Sequence, residues 1–370
     1  MNNRKPLERS KFKAKTSPKK INFLGEPPLR ILSLDGGGIK GVFTAAYLAK
    51  LEELLDREPI GNYFDMVAGT STGGIIALGF AKGLSARELK SLYVENGPAI
   101  FPKDRWTAKK LSKVGTFVHR LDDGKIKDAA MLLHDAKFSK FDNQPLFKLM
   151  EEIVGNAILG ESKVALCIPS VNAERNEPAI FKTPHHPDFK LDWNKTMLEV
   201  GMGTSAAPTY FKPSTDDDYI LLDGALIGNN PIMVAVVDVL SRFQVDSNNI
   251  RVLSIGTGSF LPPLTKNQIE GSGMWDWKNA HEHFNFYQSK NALGQACLMI
   301  GPQNVFRIEP KEENRGIDLA DHERAIGLLP EDAEQQALQD YNDLKSVFFE
   351  KPSAGMAFFY GPRSSDRESA

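Results

Sequence analysis

Cysteine is scarce. The chain of 370 residues has two, Cys167 and Cys297. That excludes a disulfide framework and leaves a reducing cytoplasm as the expected compartment. Long apolar runs are missing too. None approaches the roughly 20 residues that a membrane span requires, and no apolar h-region follows the basic N-terminal residues, so no signal peptide is expected. Neither sign of charge dominates: 45 Lys and Arg face 47 Asp and Glu, a formal net charge of −2. There is no global pull towards nucleic acid, and neither DNA nor RNA is expected as a partner. No internal repeat and no linker between separate domains is visible. The His-x-His pair, His281 and His283, has nothing nearby to complete a ligand set, so no metal is expected. What remains is ordinary: 41% hydrophobic and 25% charged residues, enough for a sizeable core in one large α/β domain or two smaller ones.

Residues 1–24 read as a basic disordered tail. Arg4, Lys5, Arg9, Lys11, Lys13, Lys15, Lys19 and Lys20 stand there against Glu8. Such a tail is either a solubilising arm or a weak attractor of anionic lipid, at about 1 kcal/mol per basic residue near a surface. Residues 25–310 read as one α/β domain, with an insert-like region at 103–136 rich in Lys and Arg. Residues 311–370 read as a helical extension, helical over Glu331 to Phe349 by its apolar spacing, with a disordered end.

Three stretches carry chemistry. The first is Gly69-Thr70-Ser71-Thr72-Gly73, between the apolar run Met66-Val67-Ala68 and the helix-like run Gly74 to Ala81. Strand, tight turn, helix around G-x-S-x-G is the arrangement that lifts a serine oxygen into the open. The flanking Gly69 and Gly73 suit a turn without room for side chains. Alone, the motif also fits a polar turn. The second is Leu29 to Leu34, an apolar strand ending in Asp35-Gly36-Gly37-Gly38-Ile39-Lys40-Gly41 before a helical pattern. Exposed amides at a helix start suit an anion. Gly36, Gly38 and Gly41 satisfy the dinucleotide fingerprint, so a non-catalytic nucleotide sensor using this loop is a rival reading. That reading wants an acidic residue at the end of a second strand about 20 residues on, and Asp56 to Gly61 looks like a loop instead. An oxyanion hole made by Gly36, Gly37 and Gly38 fits better. The third stretch is Tyr219 to Leu222, a short strand ending in Asp223-Gly224-Ala225. An aspartate at a strand end sits where α/β sheets place their chemistry.

Taken in chain order, the three resemble the patatin-like phospholipases: an Asp-Gly-Gly-Gly-x-Arg/Lys-Gly loop, a Gly-x-Ser-x-Gly elbow and a catalytic Asp-Gly. The resemblance covers roughly residues 29 to 260 and includes Thr204 to Phe211 and Val252 to Gly258. It implies a three-layer α/β/α sandwich on a mainly parallel sheet. It also implies Ser71 as nucleophile and Asp223 as base, with Asp35, Lys40, Gly41, Gly69, Gly73 and Gly224 as supporting motif residues. The family uses no histidine, and none of His119, His134, His185, His186, His281, His283 and His322 has a triad context. The stretch Pro28 to Phe43 together with Gly69 to Gly74 is further similar to patatin-like effectors of bacterial anti-phage (CBASS-type) systems. That likeness implies an allosteric cyclic dinucleotide activator such as cGAMP, no other cofactor, membrane phospholipid as substrate, and self-association on activation. It also implies a cytoplasmic protein, peripheral at the inner membrane when active. Two stretches hold the cations and flat rings a nucleotide needs: 103–136 and the one around Trp275 and Trp277.

Overall fold

A computed structural model of the chain describes residues 19–103, 139–215, 219–261, 265–266 and 280–367. In chain order its strands are β1 (Ile21–Asn22), β2 (Leu29–Leu34), β3 (Met66–Gly69), β4 (Ala165–Asn172), β5 (Glu177–Lys182), β6 (Ser214–Thr215), β7 (Ile220–Asp223), β8 (Phe243–Gln244), β9 (Ile250–Ile255) and β10 (Val305–Ile308). The helices used below are α1 (Gly41–Leu54), α2 (Thr72–Lys82), α3 (Ala86–Ile100), α4 (Gln144–Val154), α5 (Met197–Thr204), α6 (Ala225–Gly228), α7 (Ile232–Arg242), α8 (Ala280–Ile300) and α9 (His322–Phe348).

One sheet runs in the order β10-β9-β2-β3-β4-β7-β6, with β5 also paired to β4. From β10 to β4 the pairing is parallel; β5, β6 and β7 join antiparallel. Side chains alternate across a strand, and β2 shows what that does here. Leu29 and Ile31 enter one core with α7 and α8, while Leu32 and Leu34 enter the other with α1, α2 and α3. Every residue of β2 is buried, as expected for a central parallel strand covered by helices on both faces. The result is the expected three-layer α/β/α sandwich.

The antiparallel end of the sheet brings the chemistry together. Cys167 of β4 pairs with both β3 and β5, and Ser170 to Asn172 pair with both β5 and β7. A strand residue has one neighbour per edge, so β3 and β7 share an edge of β4, end to end. β3 pairs with Ala165 to Cys167 and points forward; β7 pairs with Ser170 to Asn172 and points back. The C-terminal ends of the two strands therefore converge over a gap of about 10 Å, three residues of β4.

Three sequence expectations change. The tail is ordered from residue 19: β1 pairs with β8, and His186 Nε2 bonds the Lys19 carbonyl oxygen at 3.0 Å. Residues 1–18 lie outside the described residues. The end expected to be disordered carries a 3-10 turn over Pro362–Arg367, with Arg363 Nη1 donating to the Ser162 carbonyl at 2.5 Å; residues 368–370 lie outside the described residues. The C-terminal helix starts at His322, nine residues before the expected Glu331, with Pro330 inside it. The Asp321 side chain caps it by accepting from the Arg324 amide at 3.2 Å. Ala325, Leu329, Ala333, Ala337, Leu344 and Phe348 of α9 are buried in the same core as α1. At roughly 1.5–3 kcal/mol for each large side chain buried, α9 is integral to the main core.

Candidate active site

Ser71 sits between β3 and α2 with φ 53° and ψ −121°, a region non-glycine residues rarely occupy and which costs about 1–3 kcal/mol. Surrounding bonds hold it there. The Ser71 amide donates to Thr204 Oγ1 at 3.1 Å, and that hydroxyl donates to the Pro169 carbonyl at 2.6 Å. Thr204 ends α5, whose start is fixed by a capping box of Thr196 and Glu199. Thr70 Oγ1 donates to the Gly228 carbonyl at 2.6 Å. The glycines of the turn are steric necessities: a Cβ on Gly69 would strike the Gly73 backbone, and one on Gly73 would strike the Leu34 carbonyl. Gly41 packs against the elbow in the same way, facing the Thr72 hydroxyl.

Asp223, the last residue of β7, is 2% exposed and lines the same cavity as Ser71, whose hydroxyl favours the charged carboxylate. The Ala225 amide donates to its Oδ1 at 2.7 Å. Burial raises its pKa from 3.8 to about 7, and the Ala225 amide and the Ser71 hydroxyl oppose the rise. An aspartate so placed is a far better proton acceptor near neutrality than an exposed one. Gly224 follows because a Cβ there would strike the Pro169 carbonyl.

The glycine loop lies beside the pair. Gly37 and Gly38 amides donate to no acceptor among the described residues, whereas the Gly36 amide donates to the Asn229 carbonyl at 3.0 Å. An amide has a single hydrogen, so the expected role of Gly36 as an oxyanion donor is corrected. Its place is steric, with a Cβ position 3.3 Å from Ser71 Cβ and 2.6 Å from Asn229 Oδ1. Asp35 anchors the loop from behind. Its amide donates to Ile255, and its carboxylate takes a two-pronged contact from Arg307 at 2.9 and 2.6 Å. Arg307 also donates to Ser254 Oγ at 2.7 Å. Burial disfavours the guanidinium charge, but Asp35 and Glu309 outweigh it and raise its pKa. Lys40 is 8% exposed and has no ion-pair partner among the described residues; burial lowers its pKa against the pull of Asp318, Glu309 and Glu282.

A cavity of about 470 Å³ is lined by Ser71, Asp223, Gly36 to Lys40, and apolar side chains that include Ile75, Ile100, Leu149, Tyr210, Phe211 and Leu319. Apolar walls around a few polar groups suit a hydrocarbon chain carrying an ester. No described histidine lines it. His185 is buried elsewhere, bonding Thr183 Oγ1 at 2.7 Å and Asp238 Oδ2 at 2.9 Å. With Cys167 these form a close group of metal-ligating types. Both ring nitrogens are already engaged, and Lys182 takes Asp238 Oδ1 at 2.5 Å, so the group is a satisfied buried network. The 103–136 stretch (beyond residue 103), His119, His134, Trp275, Trp277 and the His281 side chain fall outside the described residues.

The profile described as patatin-like phospholipase matches residues 32–236. The chain is 30% identical over 355 residues to a cGAMP-activated phospholipase of Pseudomonas aeruginosa, covering 94% of this chain and 99% of that one. The chain belongs to the patatin-like phospholipase family. It is also 35% identical over 250 residues to a cGAMP-activated phospholipase of Escherichia coli, covering 64% of each. A protein of the same name from Vibrio cholerae is 33% identical over 265 residues, covering 67% of this chain and 70% of that one. The patatin-like match stops at Val236, yet Arg307, Thr257 and α8 all reach the loop or the cavity from beyond it. Thr257 fell inside the resemblance, within Val252 to Gly258, but sequence reading missed Arg307 and the role of α8. The one available signal was Arg307, a lone cation in the otherwise apolar strand Val305–Ile308.

Proposed function

We propose that this protein is a phospholipase that cleaves phospholipid esters through Ser71, Asp223 and an acyl-enzyme. One observation carries the reading: Ser71 and a buried, weakly acidic Asp223 line one cavity with the two unclaimed amides of Gly37 and Gly38. Ser71 Oγ attacks the ester carbonyl carbon as its proton passes to Asp223. The oxygen that gains charge is held by the Gly37 and Gly38 amides, each such donor being worth on the order of 10²–10³ in rate. Collapse breaks the ester C–O bond, and the leaving alcohol takes the proton from Asp223. Water then attacks the acyl-enzyme, gives its proton to Asp223, and the fatty acid leaves as Ser71 regains its hydrogen.

The finer reading is a bacterial antiviral effector, cytoplasmic and peripheral at the inner membrane, that self-associates and degrades the membrane when a cyclic dinucleotide such as cGAMP binds. The three relatives named cGAMP-activated phospholipases support the nucleotide. The experiment is phospholipid vesicle hydrolysis with and without cyclic GMP-AMP, alongside labelling by a fluorophosphonate probe. Hydrolysis that needs the nucleotide, with labelling and turnover both lost in Ser71→Ala, is the expected result. Equal turnover in both tubes removes the switch and leaves a constitutive lipase. Nucleotide binding without labelling points to a non-catalytic sensor at Gly36 to Gly41.

A further inference from the structure

Residues 228–230, from the last residue of α6 into the turn before α7, bond to both the serine elbow and the glycine loop. The Gly228 carbonyl accepts from Thr70 Oγ1, next to the nucleophile, at 2.6 Å. The Asn229 carbonyl accepts from the Gly36 amide, next to the two free amides, at 3.0 Å. Asn230 Oδ1 accepts from Ser33 Oγ of β2 at 3.3 Å and from the Ile232 amide at 3.0 Å. Asn229 is itself held from one direction. Its amide donates to Gln288 Oε1 at 2.9 Å and its Nδ2 donates to Ser289 Oγ at 3.3 Å, both on α8. Asn229 and Ser289 are 5% and 8% exposed.

We propose that Gln288 and Ser289 are positioning residues for the oxyanion pocket, acting through Asn229. The proposal rests on the Ser71–Asp223 reading. Without the Gln288 oxygen, the Asn229 amide is buried with no acceptor, an expensive condition that the segment relieves by moving. Asn229 cannot move independently, because its carbonyl holds Gly36 and its Oδ1 lies against Gly36 where a Cβ would be. The Gly37 and Gly38 amides shift with it. A displacement of about 1 Å at such a site costs up to about a hundredfold in rate. The apolar walls contributed by α2, α3 and α4 do not pass through this node. The loss therefore falls on the chemical step and spares substrate binding.

The test uses the full chain, a soluble short-chain p-nitrophenyl ester and the rate of fluorophosphonate labelling. Gln288→Leu should lower kcat and labelling rate roughly tenfold to a hundredfold with KM within about twofold of wild type. Gln288→Glu keeps the acceptor oxygen and should restore most of that loss. Ser289→Ala should show the same split at smaller amplitude and Ser289→Thr should reverse it, which keeps the test decisive if Gln288→Leu folds poorly. Wild-type kcat in Gln288→Leu and Ser289→Ala, or losses that follow melting temperature and are not restored by the conservative variants, would overturn the proposal. A wild-type protein that neither turns over the ester nor takes the probe would instead defeat the hydrolase reading beneath it.

Discussion

Replacing Asp223 with Asn should inactivate the protein and stabilise it, and the stabilisation should depend on pH in a defined way. Burial lifts the Asp223 pKa from 3.8 to about 7. The folded state therefore binds this proton more tightly than the unfolded chain does. Below pH 4 both states are protonated and the group costs nothing. As pH climbs, the unfolded chain releases its proton first, and the folded state is penalised until its own carboxyl ionises near pH 7. The full penalty is roughly 4 kcal/mol, and at pH 5 it is under half of that. Asparagine never pays it. It keeps an oxygen for the Ala225 amide and an NH₂ for Ser71, at the loss of about 1 kcal/mol of charge assistance. Asp223→Asn should thus be about 2–4 kcal/mol more stable than wild type at pH 8 and nearly equal to it at pH 5. Urea denaturation at pH 5, 6, 7 and 8 reads this directly. A stability gap that is flat across that range, or a variant less stable than wild type at pH 8, would refute the reasoning. Wild-type kcat/KM on a soluble ester should rise about tenfold per pH unit below 7 and level off above it.

Two further outcomes follow from the supports of the site. Gly73→Ala places a methyl against the Leu34 carbonyl; it should cost about 1–3 kcal/mol in urea denaturation and slow fluorophosphonate labelling by displacing Ser71. Arg307→Met strands the buried Asp35 carboxylate. It should cost about 3–5 kcal/mol at pH 8, and less at pH 5, where the stranded carboxyl takes up a proton.

Much of this site was legible because its physics is local. A strand running into a turn that tolerates no side chain, then a helix, needs Gly-x-Ser-x-Gly within five residues, and the expected strand Met66 to Ala68 is β3 less its final glycine. Leu29 to Leu34 matches β2, because a strand buried on both faces leaves an unbroken apolar run. The aspartate was found by its Asp-Gly step at a strand end, and the structure adds the reason for the glycine. Long-range pairings were not legible. That the Gly36 amide is spent on Asn229 depends on two turns 193 positions apart meeting in space. Arg307 carries no pattern that names Asp35 as its partner. The start of α9 was hidden by Pro330, which usually marks a boundary and here is held inside a helix by burial against α1.

The meeting of β3 and β7 along one side of β4 has a consequence for what can vary in such proteins. The separation of the hydroxyl from the carboxylate is gauged by the few rungs of β4 between Cys167 and Ser170. Neither the long excursion that leaves α2 and returns at β4 nor the one that leaves β4 and returns at β7 sets that span. Both excursions can lengthen, shorten or acquire new partners without changing it. A slip of one rung in β7 would turn Asp223 to the opposite face of the sheet and silence the pair at a stroke.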